Sequence, residues 1–215
     1  SFQWDGYNGY VHRFYLSEKP SKVTQSVTVL DRLLPLCSEP SADSLAMVVP
    51  FGSEISTLDN EDGWCRTTSI DDREFFFKAD RDRDIKNTRE TIIALSDSLM
   101  GSPYLWGGKT PFGYDCSGFV QSIYRASGIE IKRDTSLQIK DQRMSSTDLS
   151  SSGKGDLIFF NIDGNGIDHV GILYDQDTVI HCGGEVKLQS LNDDTNKRLR
   201  DCIVDIKSIG DIIDE

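Results

Sequence analysis

A cysteine at position 116 stands between an acid and a serine in the stretch Gly113–Tyr124, GYDCSGFVQSIY. An apolar pattern of helical period begins there and carries Phe119, Val120, Ile123 and Tyr124. A structural cysteine normally sits inside such a pattern. This one sits at its edge, in the first turn of the predicted helix. The partial positive charge of a helix start favours a thiolate, and the adjacent Asp115 opposes it. A thiol so placed needs a cationic partner or base, most simply an imidazole, to act as a nucleophile. Position alone is also compatible with a helix-start cysteine that does no chemistry.

The chain has three histidines, His12, His169 and His181. Two of them lie on the strand-like runs DHVGILY and TVIHC, which flank the short stretch DQD. If Asp175–Asp177 forms a three-residue loop, Tyr174 pairs with Thr178, and the two histidines become diagonal neighbours on one face. A two-residue loop would throw them to opposite faces. A single strand histidine is compatible with a structural role. Two that converge downstream of a helix-start cysteine can supply a base and a group that orients it.

The elements that must hold these residues can be read from period and punctuation. NTRETIIALSDSLMGSP predicts a helix capped by Asn87, with Glu90 completing an approximate capping box and Ile92, Leu95 and Leu99 sharing a face. The second helix runs from Cys116 to about Ser127, with Gly128 as its stop. RDTSLQIKDQR predicts a short third helix. The period then switches to strands at GDLIFF, DHVGILY, TVIHC and EVKLQSL. Helices followed by strands give an α+β layout.

Residues 1–85 have a different character. GYVHRFYL, SVTVLDRLLPL, LAMVVPFGSEISTL and GWCRTTS are short β-type runs punctuated by Gly, Pro, Asn and Asp, which suggests a small barrel. WDGYNGYVHRFYL and NEDGWCRTTS both place an acidic-Gly turn before an aromatic-led strand, so a repeated small module is expected. The first copy lacks the strands that should precede it. The stretch RLLPLCSEPSADSLAMVVPFGSEI resembles the opening of bacterial SH3-like domains. The charge-rich KADRDRDIKNT reads as a linker or exposed surface. The expected organisation is the tail of one SH3-like domain at 1–20, a second at 21–85, and an α+β domain at 86–215.

Six pieces of the second half, in order, are PYLWGG (103–108), YDCSGFV (114–120), RDTSLQ (133–138), GDLIFF (155–160), DHVGILY (168–174) and VIHC (179–182). Together they resemble the NlpC-type cysteine peptidases, bacterial cell-wall endopeptidases of papain-like ancestry. The resemblance covers residues 87 to about 192. It implies a papain-like α+β catalytic domain with Cys116 as nucleophile, His169 as base and His181 as third member. It also implies that Tyr104 donates to the oxyanion together with the Cys116 backbone N–H, and that Trp106 lies on a cleft wall. No cofactor and no metal are implied.

One subgroup of these enzymes carries SH3-like modules that close over the cleft and restrict it to peptides with a free N-terminal L-Ala. The chain is similar to it at Asp115, at RDTS and at Tyr7 in DGYNGY. The similarity implies an ammonium-binding pocket formed by Asp115, Ser117, Asp134, Thr135 and Tyr7. A buried ammonium needs an anion and oriented acceptors, and these residue types supply them. The implied substrates are peptidoglycan-derived peptides, L-Ala-γ-D-Glu-diamino acid, cut at the γ-D-glutamyl bond. The alternative is a hydrolase of intact or crosslinked wall, an autolysin or amidase, tethered by its SH3-like modules.

Composition bounds these readings. Charged residues make up 27% and the hydrophobic set 37% of 215 residues, enough for a real core. Net charge is -12, with 10 basic and 15 acidic residues in 1–86 and 13 and 20 in the remainder. Acidity spread over both halves disfavours nucleic acid as a partner. No apolar run has the length to span a bilayer, so no membrane insertion is expected. Cys37, Cys65, Cys116, Cys182 and Cys202 form an odd, irregular set with no C-x-x-C pair, which predicts free thiols and no structural zinc. A monomer in the cytoplasm is the expectation, with a periplasmic or secreted setting kept open because the first module looks incomplete.

Overall fold

Burial with period two organises the first half of the chain. The computed structural model describes residues 2–4, 7–15, 25–69, 71–78, 88–193, 199–210 and 212–213. Strands β1 (Phe2–Trp4) and β2 (Tyr7–Gly9) form an antiparallel hairpin. They are followed by β3 (Gln25–Thr28), β4 (Leu33–Cys37), β5 (Leu45–Pro50), β6 (Glu54–Thr57), β7 (Asp59–Glu61), β8 (Trp64–Thr68) and β9 (Glu74–Phe77). Strand β3 pairs with β6, and five strands form a sheet in the order β5-β4-β9-β8-β7. Alternate residues of β6, β8 and β9 turn inward. With Val29, Leu34 and Leu36 they enclose a core of Ile55, Cys65, Phe75 and Phe77.

Three expectations shift here. GYVHRFYL does not continue as a strand: Arg13–Tyr15 is a 3₁₀ turn, and His12 Nδ1 accepts the Phe14 N–H at 3.2 Å, a local bond that competes with strand pairing. SVTVLDRLLPL and LAMVVPFGSEISTL each split into two strands. Val29 N–H bonds to Ser53 O and Phe51 N–H to Arg32 O, so the chain changes partners at both breaks. EFFF, not singled out in the sequence, is the strand β9 that joins β4 to β8.

The chain divides into units Ser1–Asp84 and Ile85–Glu215. The boundary expected at residues 20–21 lies outside the described residues.

The second unit begins with helix α1 (Arg89–Ser98). The expected cap, Asn87, lies outside the described residues, and Thr88 takes the N-cap position by accepting the Thr91 N–H at 3.2 Å. Its buried face carries Ile92 and Leu95, with Leu99 just beyond the helix end. Short strands β10 (Lys109–Thr110) and β11 (Gly113–Tyr114) precede α2 (Cys116–Ala126). Phe119, Val120, Ile123 and Tyr124 on α2 are wholly buried. The expected third helix shrinks to one turn, α3 (Thr135–Gln138).

Strands β12 (Ser145–Thr147), β13 (Leu157–Phe160), β14 (His169–Leu173), β15 (Thr178–Gly183), β16 (Glu185–Ser190) and β17 (Ile203–Ser208) complete the unit. They form one antiparallel sheet in the order β12-β17-β13-β14-β15-β16. All four residues of β13 are buried, so it needs cover on both faces. Ile158 and Phe160 pack with Leu173, Val179, Leu191, Leu199, Cys202 and Ile206. Helix α2 packs against β14 and β15. Strands β12 and β17 were not expected. Ile206 is the one fully buried residue of β17, which leaves little apolar alternation to read.

A buried carboxylate ties this unit together. Asp156, 1% exposed, pairs with Arg89 Nη1 at 2.7 Å. It also accepts the Gly153 N–H at 2.8 Å and the Ile209 N–H at 3.0 Å. The start of α1, the entry to β13 and the end of β17 therefore meet on one side chain. Nearby, the Tyr124 hydroxyl donates to Gly155 O at 2.5 Å and anchors the far end of α2. Removing one member of a buried pair leaves the other charge uncompensated. Asp156→Ala is expected to lower the unfolding free energy by about 3–5 kcal/mol in urea titrations. A loss below about 0.5 kcal/mol, ordinary for a surface site, would show that the three segments hold without it.

Candidate active site

Cys116 is the first residue of α2, and Asp115 is its N-cap. The Asp115 carboxylate is saturated. Oδ1 accepts the Gly118 N–H at 2.6 Å, Arg133 Nη1 at 2.9 Å and the Ser117 hydroxyl at 3.4 Å. Oδ2 accepts Arg133 Nη2 at 2.6 Å and the Gly107 N–H at 2.9 Å. Arg133 also reaches Ser117 Oγ at 2.9 Å. One acid thus fixes the helix start, the loop at 104–108 and the segment entering α3. The sequence had suggested Asp115 as an anion awaiting an ammonium. The structure shows it already neutralised by a fork-on-fork arginine.

Close packing at this corner restricts side chains. A Cβ on Gly118 would lie 2.3 Å from Gly108 O and 2.9 Å from Asp115 Oδ1. Gln138, wholly buried, bridges the carbonyls of Ser117 and Lys132 through its side-chain amide at 3.1 and 2.9 Å. Arg133 and Gln138 give the RDTSLQ stretch its positioning role, and neither was singled out from sequence. The signal was the motif's own first and last residues, but their partners lie 18 and 21 residues away.

The thiol is buried, and its polar surroundings are few. Thr135 Oγ1 lies 4.0 Å from Sγ. Burial pushes the Cys116 thiol up, and the Asp115 charge adds to that; the Thr135 hydroxyl and the Val170 and Ser117 N–H groups pull the other way. The helix-start field therefore does not win, and the resting group is a thiol. Val170 directly follows His169 on β14, so the sulfur meets that strand next to the imidazole.

Strands β14 and β15 pair Ile172 with Ile180 and Leu173 with Val179, and Tyr174 N–H bonds to Thr178 O. This is the register of a three-residue loop. It brings His169 Nε2 to 2.7 Å from His181 Nδ1, with the rings edge-on at 89°. Gly171 makes the approach possible, since a Cβ there would stand 3.1 Å from His181 Cβ and 2.5 Å from Val179 Cγ2. His181 Nε2 in turn lies 3.0 Å from Gln189 Oε1 on β16. Burial drives the His169 imidazole down to about 4, with Lys187 opposing its charge further and Asp168 favouring it. Burial, then the neighbouring His169, takes His181 to about 3.

The other expected residues fall as follows. Tyr104 is 39% exposed, its N–H bonds to Gly184 O at 2.8 Å, and burial together with the Cys116 and Asp115 charges raises its hydroxyl pKa. It therefore stays a donor. Trp106 is 87% exposed. Asp134 occupies the N-cap of α3 without bonding the helix through its side chain. The side chain of Tyr7 lies outside the described residues. Cys182, next to His181, donates to Tyr114 O at 3.2 Å, and burial pushes its thiol to about 12. None of the five cysteines is in a disulfide, and all are buried.

A helix-start cysteine, a strand-borne histidine pair and an antiparallel sheet define the papain-like α+β class. Residues 101–203 match the NlpC/P60 family. The chain is 29% identical over 180 residues, 82% of its length, to a γ-D-glutamyl-L-lysine dipeptidyl-peptidase of Bacillus subtilis. It is 31% identical over 127 residues to dipeptidyl-peptidase 6 of Lysinibacillus sphaericus. It spans 60% of the first relative and 44% of the second. An NlpC/P60 family protein from Bacillus cereus superposes with a TM-score of 0.71 at 25% identity, covering 83% of this chain and 61% of that one.

The two imidazoles link folding to pH. Each titrates near 6.5 when unperturbed, but near 4 and 3 in the fold. Between those values the unfolded chain holds more protons, so stability is full above 6.5 and falls as the pH drops through the window. Each imidazole contributes a slope of up to about 1.4 kcal/mol per pH unit. Urea midpoints should fall more steeply below pH 6.5 for wild type than for His181→Gln. Equal slopes would show that the pair is not buried in its neutral form.

Proposed function

We propose that this protein is a cysteine peptidase that cuts the γ-D-glutamyl–diamino acid bond of peptidoglycan-derived peptides with a free N-terminal L-Ala. The observation that carries it is the 2.7 Å contact between His169 and His181, on a strand whose Val170 N–H meets the Cys116 sulfur. Support for the substrate comes from the name of the Bacillus subtilis relative, a γ-D-glutamyl-L-lysine dipeptidyl-peptidase.

In this reading His169 accepts the Cys116 proton as sulfur attacks the γ-carbonyl of D-Glu. The oxyanion takes the Cys116 N–H at the helix start and the Tyr104 hydroxyl. The imidazolium then protonates the departing amine, which leaves a thioester of L-Ala-γ-D-Glu on Cys116. Water, deprotonated by His169, attacks the thioester and releases the dipeptide and the thiol. His181 orients the base and stabilises its charge.

The Asp115–Arg133 pair changes the expectation for the amine pocket. A substrate ammonium would share Asp115 with Arg133 rather than neutralise a lone carboxylate. Asp134 and Thr135 are proposed as its further contacts. Recycling of released peptides in the cytoplasm is the setting this implies. Relatives named probable endopeptidase p60, 38–41% identical over 81 residues, keep the hydrolysis of intact wall as the competing outcome.

Two measurements decide between these readings. Cys116→Ala should retain the fold and lose hydrolysis; turnover within about tenfold of wild type would rule out covalent catalysis by this thiol. With L-Ala-γ-D-Glu-L-Lys and L-Ala-γ-D-Glu-meso-diaminopimelate, N-acetylation of the alanine should lower kcat/KM by about tenfold or more. Equal cleavage of free and acetylated peptides, together with release of peptides from intact sacculi, would replace the recycling reading with wall hydrolysis.

A further inference from the structure

The histidine pair does not end at His181. Gln189 Oε1 lies 3.0 Å from His181 Nε2, and His181 Nδ1 lies 2.7 Å from His169 Nε2. In this orientation of the Gln189 amide its oxygen accepts, which puts a proton on His181 Nε2 and leaves Nδ1 bare. The bare Nδ1 must accept from His169 Nε2–H. That leaves His169 Nδ1 without a proton, which is the form a base requires. Had the terminal partner been a donor, each bond would reverse, and His169 would carry its proton on Nδ1.

The placement follows from the sheet. His181 stands opposite Lys187 in the β15–β16 pairing, so Gln189 is its diagonal neighbour on the same face. Gly183, two residues along β15, leaves room for the ring: a Cβ there would lie 2.8 Å from His181 Cε1 and 3.1 Å from Nδ1. Gln189 is half-buried, whereas His181 is buried.

We propose that Gln189 is a positioning residue that sets the tautomer of both histidines through one directed chain, Gln189–His181–His169. The catalytic consequence rests on the peptidase reading above; the tautomer assignment does not. Gln189 touches neither the thiol nor the reacting carbonyl, so its removal should act on kcat and leave KM unchanged.

The test uses the full chain, labelled with ¹⁵N in its histidines. His12, which belongs to the first unit, serves as reference. In wild type above pH 6.5, His181 should show a protonated Nε2 and a bare Nδ1, and His169 the same. In Gln189→Leu both signals should move toward mixed tautomers, and kcat should fall about tenfold at constant KM. Gln189→Glu keeps an acceptor, so it should restore the wild-type tautomers and most of kcat. Unchanged histidine signals in Gln189→Leu would overturn the proposal whatever the activity. Shifted signals with unchanged kcat would overturn its catalytic part. If wild type hydrolyses none of the peptides, the peptidase reading fails while the tautomer result stands by itself.

Discussion

The buried pairing of Asp115 with Arg133 is the constraint on which the site depends. Two oxygens of one carboxylate hold a helix start, a loop N–H and a guanidinium fork. Each bond fixes a different segment, so the position of Cys116 is set by three parts of the chain at once. A buried charge without such a partner would be strongly destabilising. The cleft can therefore place a thiol beside an acid without leaving that acid unpaired.

The sheet supplies the second half of the site by register alone. A three-residue loop between β14 and β15 places His169 and His181 on one face, and Gly171 and Gly183 leave room for the His181 side chain. Burial then keeps both rings neutral, as it keeps the thiol protonated. The resting thiol and imidazoles are thus uncharged beside the Asp115–Arg133 ion pair. In the proposed reaction, charge develops only when the proton moves from sulfur to imidazole.

How much of this was legible in the sequence follows the range of the interactions. The hairpin register could be read because it depends on loop length and strand period, both local. The second helix could be read because Phe119, Val120, Ile123 and Tyr124 keep one period through its length. Arg133 as the partner of Asp115 could not, since nothing local relates two residues 18 apart across a loop. Gln189 was hidden for a similar reason: EVKLQSL reads as a strand, but its face is fixed only once β16 pairs with β15. Strand β17 has too little buried surface to show alternation, and the turn at Arg13–Tyr15 follows a single side-chain bond from His12 that propensity does not reveal.

The central claim is that an acyl group passes through Cys116. Intact-protein mass spectrometry after rapid acid quench of a reaction with L-Ala-γ-D-Glu-L-Lys tests it most directly. The account predicts a transient adduct with the mass of the L-Ala-γ-D-Glu acyl group, mapped by peptide digestion to Cys116 and absent from Cys116→Ala. Product formed by wild type with no adduct at any quench time, or an adduct mapped to Cys182, would contradict it.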